Sequence, residues 1–160
     1  MKIFSILLLL PSISAFTPSG IGRNPSSGAL FSVADVKADF ALNPKTFLLD
    51  VREPNEWAEG HLAFASPNPL SELTSDTWMD PLTGVFSAGS FPIDRSTGVA
   101  IMKNKKIYLH CKMGGRAKQA AELLTKMGYK DVIVLEETFD ELAAAGICDV
   151  VTGEVQDLTD

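Results

Sequence analysis

The chain has 160 residues and a mass of 17.2 kDa, room for one domain of ordinary size. At 46% hydrophobic and 21% charged it has a globular composition, which excludes a largely disordered or collagen-like protein. Its formal charge is −6 and it has no Lys/Arg cluster, which argues against a protein that holds nucleic acid by its phosphates.

Residues 1–32 read as an address. Lys2 precedes the apolar run Ile3 to Leu10, broken only by Ser5, and Pro11 ends it. Small residues Ser12-Ile13-Ser14-Ala15 follow, where a signal peptidase would cut. The run is shorter than the roughly 20 residues a membrane-spanning helix needs, and no other run in the chain reaches that length. From Phe16 to Ala34 there is no acid, one Arg and several serines, the composition of an organelle transit peptide. The junction Ser14-Ala15-Phe16-Thr17-Pro18 resembles the bipartite plastid presequences of diatoms, so the expected destination is the plastid, with secretion as the alternative. Cleavage after residue 32 leaves 12 basic against 20 acidic side chains, a net charge of −8.

The mature chain then alternates helix and strand signals. Ser32 is placed to cap a helix, with Asp35 in its first turn and Phe31 able to staple to Val36; the helix should stop before Asn43-Pro44. Thr46 to Val51 is a short apolar strand. Pro54, Gly60, Pro67 and Pro69 mark residues 54–69 as turns with one helical turn around Trp57. Residues 74–104 form a long Thr/Ser/Gly/Asp-rich stretch without helical periodicity, and are expected to hold a hairpin or a flap. Lys106 to Cys111 is a second strand. Ala117, Ala120, Ala121, Leu123, Leu124 and Met127 recur at helical spacing until Gly128. Asp131 to Leu135 is a third strand, and Thr138-Phe139-Asp140-Glu141 reads as a capping box opening a helix that Gly146 ends. Residues 33–148 make the domain, and 149–160 an acidic tail. Strands alternating with helices predict an α/β fold with a mainly parallel sheet, in which ligands bind beyond the carboxyl ends of the strands.

Cys111 stands at one such end. The chain's two cysteines, Cys111 and Cys148, are too few for a disulfide framework. Lys112, Met113, Gly114 and Gly115 form a tight loop before a helix that opens near Arg116. Three features favour a thiolate at Cys111: the free N–H groups and positive end of the helix, the cations Lys112 and Arg116, and two glycines that let backbone N–H groups turn inward as an anion nest. The same cradle holds an anionic substrate before the sulfur, and Arg116 offers a bidentate grip on an oxyanion. A lone cysteine is ordinarily a small buried hydrophobe; strand, Cys, Gly-Gly, Arg and helix in this order favour chemistry.

Leu49-Asp50-Val51-Arg52-Glu53-Pro54 with Trp57 and Glu59-Gly60-His61, then His110-Cys111-Lys112-Met113-Gly114-Gly115-Arg116-Ala117, then Glu122-Leu123-Leu124 and Gly128-Tyr129, resembles single-domain rhodaneses from about Ser32 to Ile147. The resemblance implies a five-stranded parallel sheet with helices on both faces. It implies that Cys111 is the sulfur-carrying nucleophile, that Lys112 to Arg116 form the binding loop, and that Asp50 supports that loop, with Arg52 and His61 structural. The implied partners are a small anionic sulfur donor such as thiosulfate and a thiol acceptor, small molecule or protein, with no metal and no organic cofactor.

Two other readings stand beside it. Domains of this family also dock partners without catalysis. Cys-dependent phosphatases, and the related arsenate reductases, place five residues between Cys and Arg, where this chain has four. The chain departs from the family pattern at Ala63-Phe64, at Glu137-Thr138, at Leu142 where a Trp is frequent, and in residues 74–104. Glu136 and Glu137 are expected to face the cradle and weaken thiosulfate binding. Pro67 and Pro69 count against a strand after His61. Cys148 reads as a packing residue, with resolution of a Cys111 persulfide as the alternative.

Overall fold

The computed structural model describes residues 33–153, apart from residues 44, 76, 77, 79, 81, 84 and 88–90. The cap and staple expected at Ser32 and Phe31 lie outside the described residues, as does the presequence. Helix α1 (Val33–Leu42) is followed by strand β1 (Thr46–Asp50), helix α2 (Pro54–Glu59) and the short strands β2 (His61–Leu62) and β3 (Ala65–Pro67). Next come α3 (Leu70–Leu73), β4 (Ile93–Asp94), β5 (Val99–Ala100) and β6 (Lys106–His110). Helix α4 (Gly115–Lys126), strand β7 (Asp131–Val134), helix α5 (Phe139–Ala144) and strand β8 (Val150–Val151) complete the order.

Among the described residues four parallel strands form the central sheet in the order β3-β1-β6-β7. The α/β class is as expected, but the sheet has four strands rather than five: β2 pairs antiparallel with β8 in a separate two-stranded ladder. That pairing draws Val150 and Val151 into the fold, so the folded unit runs past residue 148. Residues 154–160 lie outside the described residues. β3 exists despite Pro67 because it is an edge strand; Pro67 sits opposite Asp50 at the strand's last register position, where a missing N–H costs no inner ladder bond.

The two central strands read as unbroken apolar runs because both faces are covered. Leu49, Val51, Ile107, Leu109 and Cys111 join Ala117, Ala120 and Leu124 of α4 in one buried cluster. Leu48 and Tyr108 join Val36 of α1 and Leu142 of α5 in another. Successive residues along a strand thus serve alternate clusters, as the two-residue period requires. Each fully buried Leu contributes about 1.5–3 kcal/mol of transfer free energy. The alanines of α4 leave the helix free to approach the sheet.

The long segment does hold a hairpin. Ile93 pairs with Ala100 and Asp94 with Val99, and the turn closes when the N–H groups of Thr97 and Gly98 donate to the Asp94 carbonyl. The Asn68 side chain docks this hairpin by donating to the Ile93 carbonyl and accepting from the Ile93 N–H, both at 3.0 Å, as a strand neighbour would. Trp78, Phe86 and Phe91 pack against the cluster that contains Cys111, so the segment is built onto the face where the loop begins.

Candidate active site

The sheet changes winding direction between its two central strands. β1 is followed outward by β3 and β6 by β7, so the carboxyl ends of β1 and β6 flank the crevice where open α/β sheets bind ligands. Asp50 and His110 are register partners at those ends, and the Val51 N–H donates to the His110 carbonyl at 3.1 Å. Cys111 is the next residue. It is only 1% exposed, a floor rather than a rim. Lys112, Met113 and Gly115 are exposed above it and Gly114 is buried.

The turn into α4 depends on one of its two glycines. Gly114 caps the helix at φ +82°, a left-handed conformation that L side chains adopt at a cost of roughly 1–2 kcal/mol. Gly115 is already helical, and a Cβ there meets nothing within 4 Å. Gly114→Ala is therefore expected to destabilise the fold by about 1–2 kcal/mol and re-aim the loop. Gly115→Ala is expected to be neutral or to stabilise by up to about 1 kcal/mol. Paired urea titrations check this, and equal losses for both would contradict it.

Among the described residues no carbonyl accepts from the backbone N–H groups of Lys112 to Arg116. Lys118 is the first N–H of this stretch to be satisfied, by the Gly114 carbonyl at 3.1 Å. The helix start thus keeps its donors free, the condition for an anion site at a helix N-terminus. The loop is held from below: the Lys112 carbonyl accepts from the Phe139 N–H at 3.3 Å.

Arg116 is not free to swing over the sulfur. Its Nη1 donates to Glu56 Oε2 at 2.5 Å and its Nη2 to Oε1 at 2.8 Å, a fork-to-fork pair between α4 and α2. Glu56 also accepts from the Glu53 N–H at 3.1 Å, as the third helical position of a capping box. The Arg116 hydrogen bond, assisted by the Glu53 N–H against the cost of burial, holds the Glu56 carboxyl down at about 2. Glu56 is therefore ionised at any neutral pH. Reading the sequence missed it, although Glu53-Pro54-Asn55-Glu56 carries the capping-box spacing that would have placed it on a defined helix turn. Glu136, expected to face the cradle, has its carboxylate 3.7 Å from Lys118 Nζ, both largely exposed.

Asp50 supports this end of the sheet through a buried ion pair. Arg52 Nη2 donates to Asp50 Oδ2 at 2.6 Å, Arg52 Nε to both oxygens, and the Arg52 N–H to Oδ1 at 3.0 Å. The other bond of Arg52 Nη2 goes to the Gly60 carbonyl, and its guanidinium lies 3.9 Å from the centre of the Phe139 ring. Phe139 thereby links the ion pair to the loop it holds by its N–H. His110 is fully buried, and its Nε2 lies 3.6 Å from Asp50 Oδ2. Burial pushes its titration below the ordinary 6.5; Asp50 opposes this and Arg52 reinforces it. His61 Nδ1–H donates to the Trp57 carbonyl at 3.0 Å and the ring stacks on the Trp57 ring, with centroids 3.6 Å apart, a packing role. Cys148 packs against the cluster on the other face of the sheet, so the two thiols serve different cores. Among the described residues no group of three or more His, Cys, Asp or Glu side chains is arranged to hold a metal ion.

Fold and site together define an α/β domain in which a buried cysteine at a strand end is followed directly by a loop and helix start whose backbone N–H groups no carbonyl among the described residues engages. Residues 32–145 match the model of the Rhodanese-like domain, and the chain belongs to that family. It is 30% identical over 95 residues to the uncharacterized protein YqhL of Bacillus subtilis (strain 168), covering 59% of each chain. It is similar to a human single-domain sulfurtransferase, with a TM-score of 0.55 at 24% identity over 73% of this chain and 97% of that one. A thiosulfate sulfurtransferase from Pseudomonas aeruginosa gives a TM-score of 0.53 at 25% identity, covering 78% of this chain and 20% of that one.

Proposed function

We propose that the protein is a sulfurtransferase working through a persulfide on Cys111. The observation that carries this reading is that the N–H groups of Lys112 to Arg116, which follow Cys111 directly, are engaged by no carbonyl among the described residues. Similarity to proteins described as sulfurtransferases supports it at the level of the family. The Cys111 thiolate attacks the outer sulfur of a donor; that sulfur's bond to the donor breaks, and the bonding pair leaves with the donor remnant. With thiosulfate the remnant is sulfite. An acceptor thiolate or cyanide then attacks the outer sulfur of the persulfide and releases the Cys111 thiolate. The amide donors stabilise charge on the transferred sulfur in both steps, and the kinetics are ping-pong. Arg52 and Asp50, below, fix the loop through Phe139.

Docking of a partner without catalysis is the second reading, and the burial of Cys111 is the observation that favours it. Intact mass after incubation with a sulfane donor separates them: sulfurtransfer adds one sulfur atom to the chain, docking adds none. From the composition of residues 1–32 and the junction Ser14-Ala15-Phe16-Thr17-Pro18 we also propose that this segment directs the chain to a plastid.

A further inference from the structure

Resting on that reading, we propose that Glu56 is a positioning residue that sets donor charge: it claims the Arg116 fork, and so selects an organic persulfide, neutral or singly charged, over dianionic thiosulfate. Arg116 is the residue of the loop able to grip a sulfonate by two parallel hydrogen bonds, and the edge of its guanidinium formed by Nη1 and Nη2 is turned to Glu56. The pair is only partly exposed, with side chains 29% and 16% accessible. Glu56 is itself pinned by the Glu53 N–H at the start of α2, so the fork is held from a fixed point.

Most of the charge around the loop is likewise paired. Lys118 pairs with Glu136, and the Glu53 carboxylate adds its field to that of Glu56 at Arg116. Among the described residues Lys112 is the one cation of the loop with no carboxylate within 4 Å. A dianion entering this site approaches a fixed carboxylate as well as the amide donors. Repulsion scales with the charge it carries, so thiosulfate meets twice the penalty of a singly charged persulfide.

The step balances without another reactant. Cys111–S⁻ attacks the outer sulfur of R–S–SH, a new S–S bond forms on Cys111, the donor S–S bond breaks, and R–S⁻ leaves. The proton stays on the transferred sulfur, Cys111 is oxidised to the persulfide and the donor is reduced to its thiolate.

The test compares kcat/KM for thiosulfate with that for 2-hydroxyethyl persulfide, which carries at most one negative charge, in the wild-type domain and in Glu56→Gln. Gln keeps the capping-box acceptor and removes the charge. The 2-hydroxyethyl persulfide is expected to be preferred at least tenfold by the wild type, and the ratio of thiosulfate to persulfide efficiency is expected to rise about tenfold in Glu56→Gln. An unchanged or falling ratio overturns the proposal. Should the variant fail to fold, the wild type alone decides: thiosulfate efficiency rising with ionic strength supports the repulsion, and falling efficiency overturns it. Formation of the Cys111 persulfide from thiosulfate with no such preference refutes donor selection and leaves sulfurtransfer intact; no persulfide from either donor refutes both.

Discussion

Cys111→Ser is expected to abolish the sulfur adduct and to lower thiocyanate production from cyanide by at least about a thousandfold, because the hydroxyl forms no nucleophilic anion at neutral pH and no persulfide. Cys111 belongs to the apolar cluster with Leu49, Leu109 and Ala117, so the substitution also buries a hydroxyl there. A stability loss of about 1–3 kcal/mol is expected for that reason, measurable by urea unfolding. The control is Cys148→Ser. Cys148 packs against the opposite cluster, and burial pushes its thiol up from the ordinary range, so it is protonated and remote at neutral pH. Its variant is expected to keep both adduct and turnover. Loss of the adduct in Cys148→Ser, or its survival in Cys111→Ser, would assign the chemistry to the wrong thiol.

The strands and helices that frame this loop were legible because their signals are local. Thr46 to Asp50 and Lys106 to His110 are apolar runs bounded by polar residues, and both are strands. Thr138 and Glu141 stand at capping-box spacing, and they make that box. Gly128 and Gly146 end their helices at φ +95° and +62°. The strand at Ala65 to Pro67 was hidden because a proline is allowed at an edge, and edge position is a property of the assembled sheet. The missing fifth central strand has the same origin: β2 is two residues long and pairs with β8, from a segment read as tail. Within the site, the loop from Cys111 to Arg116 was legible as one contiguous motif. The partner of Arg116 was not, because Glu56 lies 60 residues away and only the packing of α2 beside α4 brings them together. The role of Phe139 was hidden for the same reason: nothing in its neighbours announces contact with Arg52.

Removing Arg52 tests how the fold supports the loop, and Arg52→Ala is expected to destabilise the domain by about 3–5 kcal/mol, since it strands the buried Asp50 carboxylate. The expected defect depends on pH, with a sign fixed by His110. In the wild type the His110 titration is depressed in the fold, so its contribution is fully present above 6.5 and is lost as pH falls through the lower folded value. Arg52 is one cause of that depression and Asp50 opposes it. Without Arg52, His110, 3.6 Å from Asp50, takes up a proton in the folded state more readily than in the wild type. The defect in Arg52→Ala is therefore expected to shrink between pH 8 and pH 5, which urea titrations at the two values would show. A defect of equal size at both would mean that the carboxylate finds another partner. Loosening of Phe139, which loses the guanidinium over its ring, also frees the Lys112 carbonyl from its anchor. A changed rate of Cys111 alkylation in folded Arg52→Ala is then the mark of a loop that has lost this anchor.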